Sequence, residues 1–434
     1  MKQLRQMSIL VRGAQLLLLV LALFLVVWLV PDAGKKHASG TEASEAETDG
    51  GDVAENEKNR AAGNLEEDES SAGEVIQDDA DENASDGETA LKRRTSRKQL
   101  YKRKKEPQKA QEETVYMPPT IWLATDLHYQ SPQMTDFQSA FDTYTMGNDG
   151  TIVPYLDEIT EAFLEEVRTA HPSALVLSGD LSQNGEKANH EALAEKLERV
   201  QAAGIPVLVI PGNHDINNPS ASVYSGGDRY PAEPTAPEDF ERIYKEFGYS
   251  EASSRDANSL SYTYDLGPSM RLLMLDTCQY EPRNKVGGMI KTETYEWIKE
   301  QLKQAARDSV ILLPVAHHNL LEESKVYADD CTIEHSEELI QMLEGENIPL
   351  FLSGHLHVQH FMRNNDIGIY EVVTSSLSTP PCQYGVLDYM EDETFYYYSR
   401  KVDMEKWARK NKSTDENLLN FRHIQSACFK EDIL

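Results

Sequence analysis

The residues able to do chemistry in this 434-residue chain are gathered in a few short fragments. The first is IWLATDLH, residues 121–128, an apolar, β-prone run that stops abruptly at Asp126 and His128. On a strand, residues i and i+2 point the same way, so a carboxylate and an imidazole leave the strand tip side by side, as two ligands of one metal would. Further fragments follow at the ends of later apolar runs. They are Gly179-Asp180, the PGNHD of residues 211–215, His317-His318 and the GHLH of residues 354–357. The donors they offer are carboxylates, imidazoles and the amide of Asn213, with no thiolate. That set suits Mn, Fe or Zn rather than a soft copper site. Each fragment alone is a weak signal, and their recurrence in order is what carries weight.

The elements that must position these residues are legible as apolar runs alternating with helix-like stretches. Strands are expected at 120–125, 174–178, 206–210, 271–276, 310–315, 349–353, 370–374, 384–389 and 394–399. Helices are expected at 154–170, 186–203, 237–247, 293–306 and 336–344. In the first helix Leu156, Ile159, Phe163 and Val167 recur at helical spacing. The alternation implies a layered α/β sandwich rather than a bundle. Every candidate ligand falls at the C-terminal end of an apolar run, the edge where sites assemble in open α/β sheets. Residues 129–151 and 217–235 read as long irregular loops directly after motifs. With 320–334 they are the expected source of substrate selection.

Composition bounds the rest. A formal net charge of −31 lacks the basic footprint of a general nucleic-acid binder. The four cysteines lie far apart with no CxxC, which excludes a zinc ribbon and gives no disulfide framework. Residues 1–13 carry Lys2, Arg5 and Arg12 as a short cytoplasmic terminus, and residues 14–31 follow as an almost wholly apolar run. No small-residue cleavage site follows it, and Trp28 suits an interface, so an uncleaved single-span anchor is favoured over a signal peptide. The basic residues ahead of the span put the bulk of the chain outside the cytoplasm, at the cell membrane.

Residues 32–115 read as a linker, acidic and then basic. Residues 41–91 are too poor in apolar side chains to offset the entropy of ordering. The basic stretch that follows, Lys92 to Lys105, could contact a polyanion such as anionic lipid or wall polymer, although a solvated spacer is the simpler reading. Globular sequence begins near Tyr116, after which residues 116–400 form one domain. Residues 401–434 are a C-terminal extension, with some helical pattern around Trp407 and no motif.

Taken together, DLH, GD, GNHD, HH and GHLH resemble the calcineurin-like metallophosphoesterase superfamily, over residues 120–398. The stretch GDLSQNGE (179–186) is most similar to the branch of bacterial cyclic-nucleotide phosphodiesterases. Purple acid phosphatases place a tyrosine three residues after the GD aspartate, where this chain has Gln183. The resemblance implies a four-layer α/β/β/α sandwich and two divalent metal ions. Asp126, His128 and His357 would hold the first. Asn213, His317 and His355 would hold the second, with His317 preferred to His318, and Asp180 would bridge them. His214 would be catalytic, with Asp215 orienting its ring.

These roles make physical sense. Two metals about 3.5–4 Å apart can clamp the attacking and leaving oxygens of an in-line displacement at phosphorus. Coordination lowers the pKa of bound water toward about 7. His214 could protonate the leaving oxygen. The expected activity is hydrolysis of a phosphoester, diester or monoester. The alternative is a non-catalytic surface or cell-wall binding protein with a retained metal site, which the full ligand set argues against. Other residues read more plainly. His335 and His360 are expected to be ordinary surface histidines and His190 an exposed helix residue. Tyr384 is expected to pack, and Asn184 is a candidate substrate contact.

Overall fold

The computed structural model describes residues 88–89, 118–145, 150–323, 330–346, 348–364 and 368–424. The expected anchor at 14–31 and nearly all of the linker lie outside them. No helix among the described residues is long and apolar enough to cross a membrane.

Two mixed sheets carry the domain. The first runs, in spatial order, Glu88–Thr89, Phe395–Lys401, Gln383–Tyr389, Thr120–Ala124, Ala174–Ser178 and Val207–Ile210. Its last three strands are parallel and in register, with Ala124 opposite Leu177 and Ser178 opposite Ile210. The two-residue strand Glu88–Thr89, within the stretch read as linker, pairs with Tyr397 and Tyr398. The second sheet runs His360–Asn364, Ile369–Val373, Leu350–Ser353, Ile311–Ala316, Met270–Leu275, Tyr262–Leu266 and Ser254–Arg255. Its four central strands are parallel.

Side-chain alternation sorts the second sheet's two faces. Leu272, Met274, Leu313, Val315, Leu350 and Leu352 share one core with Ile121, Leu123, Leu175 and Leu177 of the first sheet. The intervening Leu273, Leu275, Leu312 and Phe351 form a second core with Ile298 and Leu302 of helix Thr292–Asp308 and with Leu339 and Leu343 of helix Ser336–Gly345. Helices Leu156–Ala170 and Lys187–Gln201 bury Phe163, Val167, Leu193 and Leu197 against the first sheet. The helix faces follow the 3.6-residue period in the sequence, while strands buried on both faces, such as Ala174–Ser178 and Met270–Leu275, read as near-continuous apolar runs.

All nine expected strands and all five expected helices are present, with ends moved by a few residues. The two loops read as irregular are not wholly so. Residues 129–151 contain the helix Ser139–Thr145, and 217–235 contain the hairpin Ser222–Ser225 and Asp228–Pro231. They fold against each other, Phe141 and Tyr224 packing with Val153 and Leu156 in a small core. Each piece is too short to announce itself and is stabilised by a partner about eighty residues away in sequence. Tyr384 packs as expected, stacked on Trp122 with its hydroxyl donating to Glu166 at 2.7 Å.

Candidate metal centre

The parallel registers bring the strand ends of both sheets to one edge, and the motif residues lie on the turns just beyond. Short backbone bonds lock these turns together. Asp126 N donates to Gly179 O at 3.0 Å, His128 N to Asp180 O at 2.9 Å, and Gly354 N to His317 O at 3.0 Å. The turns are strained. Asp126, His128, Asp180, His355 and His357 all hold positive φ, between 44° and 72°. L-residues enter that region rarely, and such strain gathers at functional sites. The motif glycines answer to close approach. A Cβ on Gly212 would lie 2.1 Å from Asp180 N, and one on Gly354 would lie 2.1 Å from Thr125 Oγ1.

The site residues meet in two half-sets. In one, His357 Nε2 is 3.1 Å from His128 Nε2 and 3.2 Å from Asp126 Oδ1. In the other, His317 Nε2 is 3.1 Å from Asn213 Oδ1 and 3.3 Å from His355 Nδ1. Asp180 lies between them, its Oδ2 3.8 Å from His128 Nε2 and 3.4 Å from His317 Nε2. Its Oδ1 accepts from His214 N at 2.7 Å. Asp126 Oδ2 accepts from Thr125 Oγ1 at 2.8 Å and His355 N at 3.0 Å, tying the first motif to the last.

His317 and His318 are separated by their hydrogen bonds. His318 uses both ring nitrogens on protein partners, Nδ1 with Thr277 Oγ1 and Nε2 with Val286 O, each at 2.8 Å. His317 donates its Nδ1–H to Ser178 O at 2.9 Å, a bond from the second sheet to the first, and keeps Nε2 for the other site residues. A carbonyl can only accept, so this bond keeps a proton on Nδ1 and turns Nε2, the nitrogen a cation would take from its own proton, toward Asp180 and Asn213. Although His318 stands close to His317 and His355, its nitrogens are spoken for.

The donor set fits a cation. Asp126 Oδ1 is buried without a hydrogen-bond partner. Imidazole nitrogens face each other at 3.1 and 3.3 Å, which is favourable only with a proton or a metal between them. Asp126, His128 and His357 form one cluster whose ligand atoms all lie within 4.8 Å of one another, as do Asp126, Asp180 and His317.

Electrostatics agree. Burial and the neighbouring His214 push His128 down to about 3. Burial and His317 push His355 down to about 4. Burial also disfavours charge on His317, but Asp180 and Asp126 overcome it and hold that ring up at about 9. Burial opposes ionisation of Asp126 and Asp180 as well, yet the facing histidines keep both below the ordinary carboxylate range. A cation entering beside His317 would displace its proton, so affinity should rise with pH.

His214 is half-buried, and its ring meets that of His128 edge to face at 4.8 Å. The expected orienting contact from Asp215 is absent. His214 Nδ1 donates instead to the backbone carbonyl of Gln183 at 2.8 Å. Asp215 turns the other way, into the protein. It accepts from Leu181 N at 3.0 Å, Ser182 N at 2.9 Å, Ser182 Oγ at 3.0 Å and Gly212 N at 2.8 Å. Consecutive side chains diverge, so an acid next to a histidine in sequence is poorly placed to hold it. His190, read as exposed, is fully buried on this cluster, bonded to Ser182 Oγ at 2.9 Å and Tyr244 OH at 2.8 Å. Its helix turns that face onto the Asp215 loop.

Asn184 donates its backbone N–H to Glu186 Oε2 at 2.9 Å, and its amide lies 3.5 Å from Tyr144 OH. His335 precedes helix Ser336–Gly345, and His360 pairs with Glu323. Sequence reasoning missed the Gln183 and Ser178 carbonyls that orient two imidazoles, because a backbone acceptor leaves no trace in residue type.

Residues 119–359 match the calcineurin-like phosphoesterase family model. The chain belongs to that family. It is a metal-dependent phosphoester hydrolase. Among its relatives, a probable cyclic nucleotide phosphodiesterase of Psychrobacter arcticus is 26% identical over 245 residues, 56% of this chain and 73% of that protein. A 3',5'-cyclic adenosine monophosphate phosphodiesterase of Haemophilus influenzae is 24% identical over 50% of this chain and 66% of its own length. A dimetal phosphatase structure from Danio rerio aligns with 66% of this chain and 100% of that one, at 14% identity and a TM-score of 0.45.

Proposed function

We propose that this family member is a phosphodiesterase working with two divalent cations, Mn, Fe or Zn. Asp126, His128 and His357 would hold one, and Asn213, His317 and His355 the other. The observation that carries the reading is Asp180, whose single oxygen Oδ2 faces a histidine of each half-set. When bound, the cations supply positive charge for the phosphoryl oxygens and acidify water.

The protein's own groups do the rest. Asp180 and Asp126 offset cation charge, and the bond from Asp180 to His214 N fixes the GNHD turn against the GD turn. The Gln183 carbonyl holds His214 Nδ1–H, so the imidazolium form would present its Nε2–H to the leaving oxygen and give up that proton as the neutral Nδ1–H tautomer. Diester rather than monoester hydrolysis is supported by the named activities of the relatives and by the GDLSQNGE stretch. Cyclic nucleotides are therefore among the first diesters to try.

The proposal extends to location. The apolar run at 14–31 and the basic residues before it support a single-span anchor with the catalytic domain outside the cytoplasm. Protection of that domain from protease added to intact protoplasts would reverse this orientation. The test of function is turnover of bis(p-nitrophenyl) phosphate against p-nitrophenyl phosphate by the manganese-loaded protein. Preference for the monoester would overturn the diesterase reading.

A further inference from the structure

A recess of about 520 Å³ lies beside the GNHD turn, lined by Asn217, Pro219, Pro282, Arg283, Asn284 and Lys285. Two features set it apart. Its lining holds two cations and no carboxylate, in a chain with a formal net charge of −31. Arg283 is exposed and makes no ion pair among the described residues, and the Lys285 ammonium bonds only the neutral Gln279 Oε1, at 2.7 Å. Neither cation pairs with a carboxylate among the described residues.

The loop carrying them is also preorganised. Lys285 N donates to Gln279 O at 2.8 Å, and Gln279 Nε2 to Gly287 O at 2.9 Å. Asn284 joins this loop to the metal-side turn, its amide donating to Asn213 O at 2.6 Å and Ile216 O at 2.9 Å. The recess therefore abuts the backbone of Asn213, whose side-chain oxygen faces His317. Uncompensated cations on a braced loop form an oxyanion site at little ordering cost.

We propose that this recess is a substrate subsite that takes a second oxyanion, a phosphate carried by the phosphoester in addition to the one being hydrolysed. Substrates bearing two phosphates would then be selected over those bearing one. The proposal rests on the phosphohydrolase reading for the identity of its ligand, but its test does not depend on turnover.

Calorimetry on the manganese-loaded full chain would compare thymidine 3',5'-bisphosphate with thymidine 5'-monophosphate. The bisphosphate should bind about tenfold more tightly or better, the order expected of one or two charge-assisted contacts. The exposed double variant Arg283→Ala with Lys285→Ala should bring the two affinities together while leaving monophosphate binding as it was. Rising salt should shrink the wild-type preference. Equal affinities in the wild type, no binding of the bisphosphate, or a preference that survives the double variant would each overturn the subsite. Turnover of bis(p-nitrophenyl) phosphate, measured alongside, tests the hydrolase reading separately, since that compound carries no second phosphate.

Discussion

Two clusters that each set carboxylate against imidazole lie a few residues apart in this protein. One joins Asp126, Asp180, His128, His317, His355 and His357. The other joins Asp215, His190, Ser182 and Tyr244. In the second, both oxygens of Asp215 accept backbone donors, and both nitrogens of His190 have partners. In the first, Asp126 Oδ1 and His128 Nδ1 are buried with no hydrogen-bond partner, and imidazole nitrogens confront each other. Buried polar groups are ordinarily satisfied, so the first cluster is incomplete as protein alone. Acid and imidazole in contact do not make a site. Valences left open, on turns held at positive φ, are what distinguish one.

The largest effects should follow from damage to the open cluster. Asp180→Asn removes the charge that both half-sets share. It should drop metal content well below two ions per chain and cost more activity than the ~10²–10⁴-fold a general acid typically contributes. Normal turnover with full metal content would refute the shared role. His214→Ala comes next. It should keep both metals and lose about 10²–10⁴-fold on alkyl diesters, but far less on nitrophenyl diesters, whose leaving group needs little protonation. Equal losses on both substrates would assign His214 to phosphoryl charge instead, and loss of metal would make it a ligand.

The closed cluster should answer in stability. Asp215→Ala strands the N–H groups of Leu181, Ser182 and Gly212, at about 1–3 kcal/mol for each buried donor left without an acceptor. The urea midpoint should fall, while the fraction still folded binds metal and turns over. An Asp215→Ala protein with wild-type stability and no metal would move Asp215 into the open cluster and dissolve the distinction.

How much of this was legible in the sequence follows from the same contrast. The candidate ligands stand out because each rides on a short contiguous motif at the end of an apolar run, and the parallel registers bring those ends together. The long helices could be read because burial of one face imposes a period on residue type, and the central strands because burial of both faces leaves short, near-continuous apolar runs. What could not be read depends on contacts between distant segments. Nothing near His190 announces that its helix turns it onto the Asp215 loop. Helix Ser139–Thr145 and the hairpin at 222–231 stabilise each other and neither is patterned enough alone. The partners that occupy both His318 nitrogens, Thr277 and Val286, lie about forty and thirty residues earlier.

A third acid–imidazole cluster lies between these extremes and gives the smallest effect. Glu371 is fully buried. It accepts from Leu320 N at 2.8 Å, Leu321 N at 2.7 Å and Ser353 Oγ at 2.6 Å, bracing the loop after His317 against the strand before His355. Glu323, whose side chain is 2% exposed, pairs with His360 and faces Glu371. Burial and the facing Glu323 push Glu371 up to about 8, and burial pushes Glu323 up to about 7. Both would ionise near 4.5 in the unfolded chain. Between that pH and the folded values the native state binds more protons, so stability should fall as pH rises from about 4.5 to about 8. Glu371→Gln removes one proton site and relieves the partner's repulsion. Its stability should therefore decline less steeply over that window, whatever its absolute value at pH 4.5. The measurement is the urea midpoint at half-unit pH steps for both proteins. Parallel curves would mean that the pair is ionised in the native state, with its charge matched by groups such as the His360 ring, and would place this cluster with the closed one.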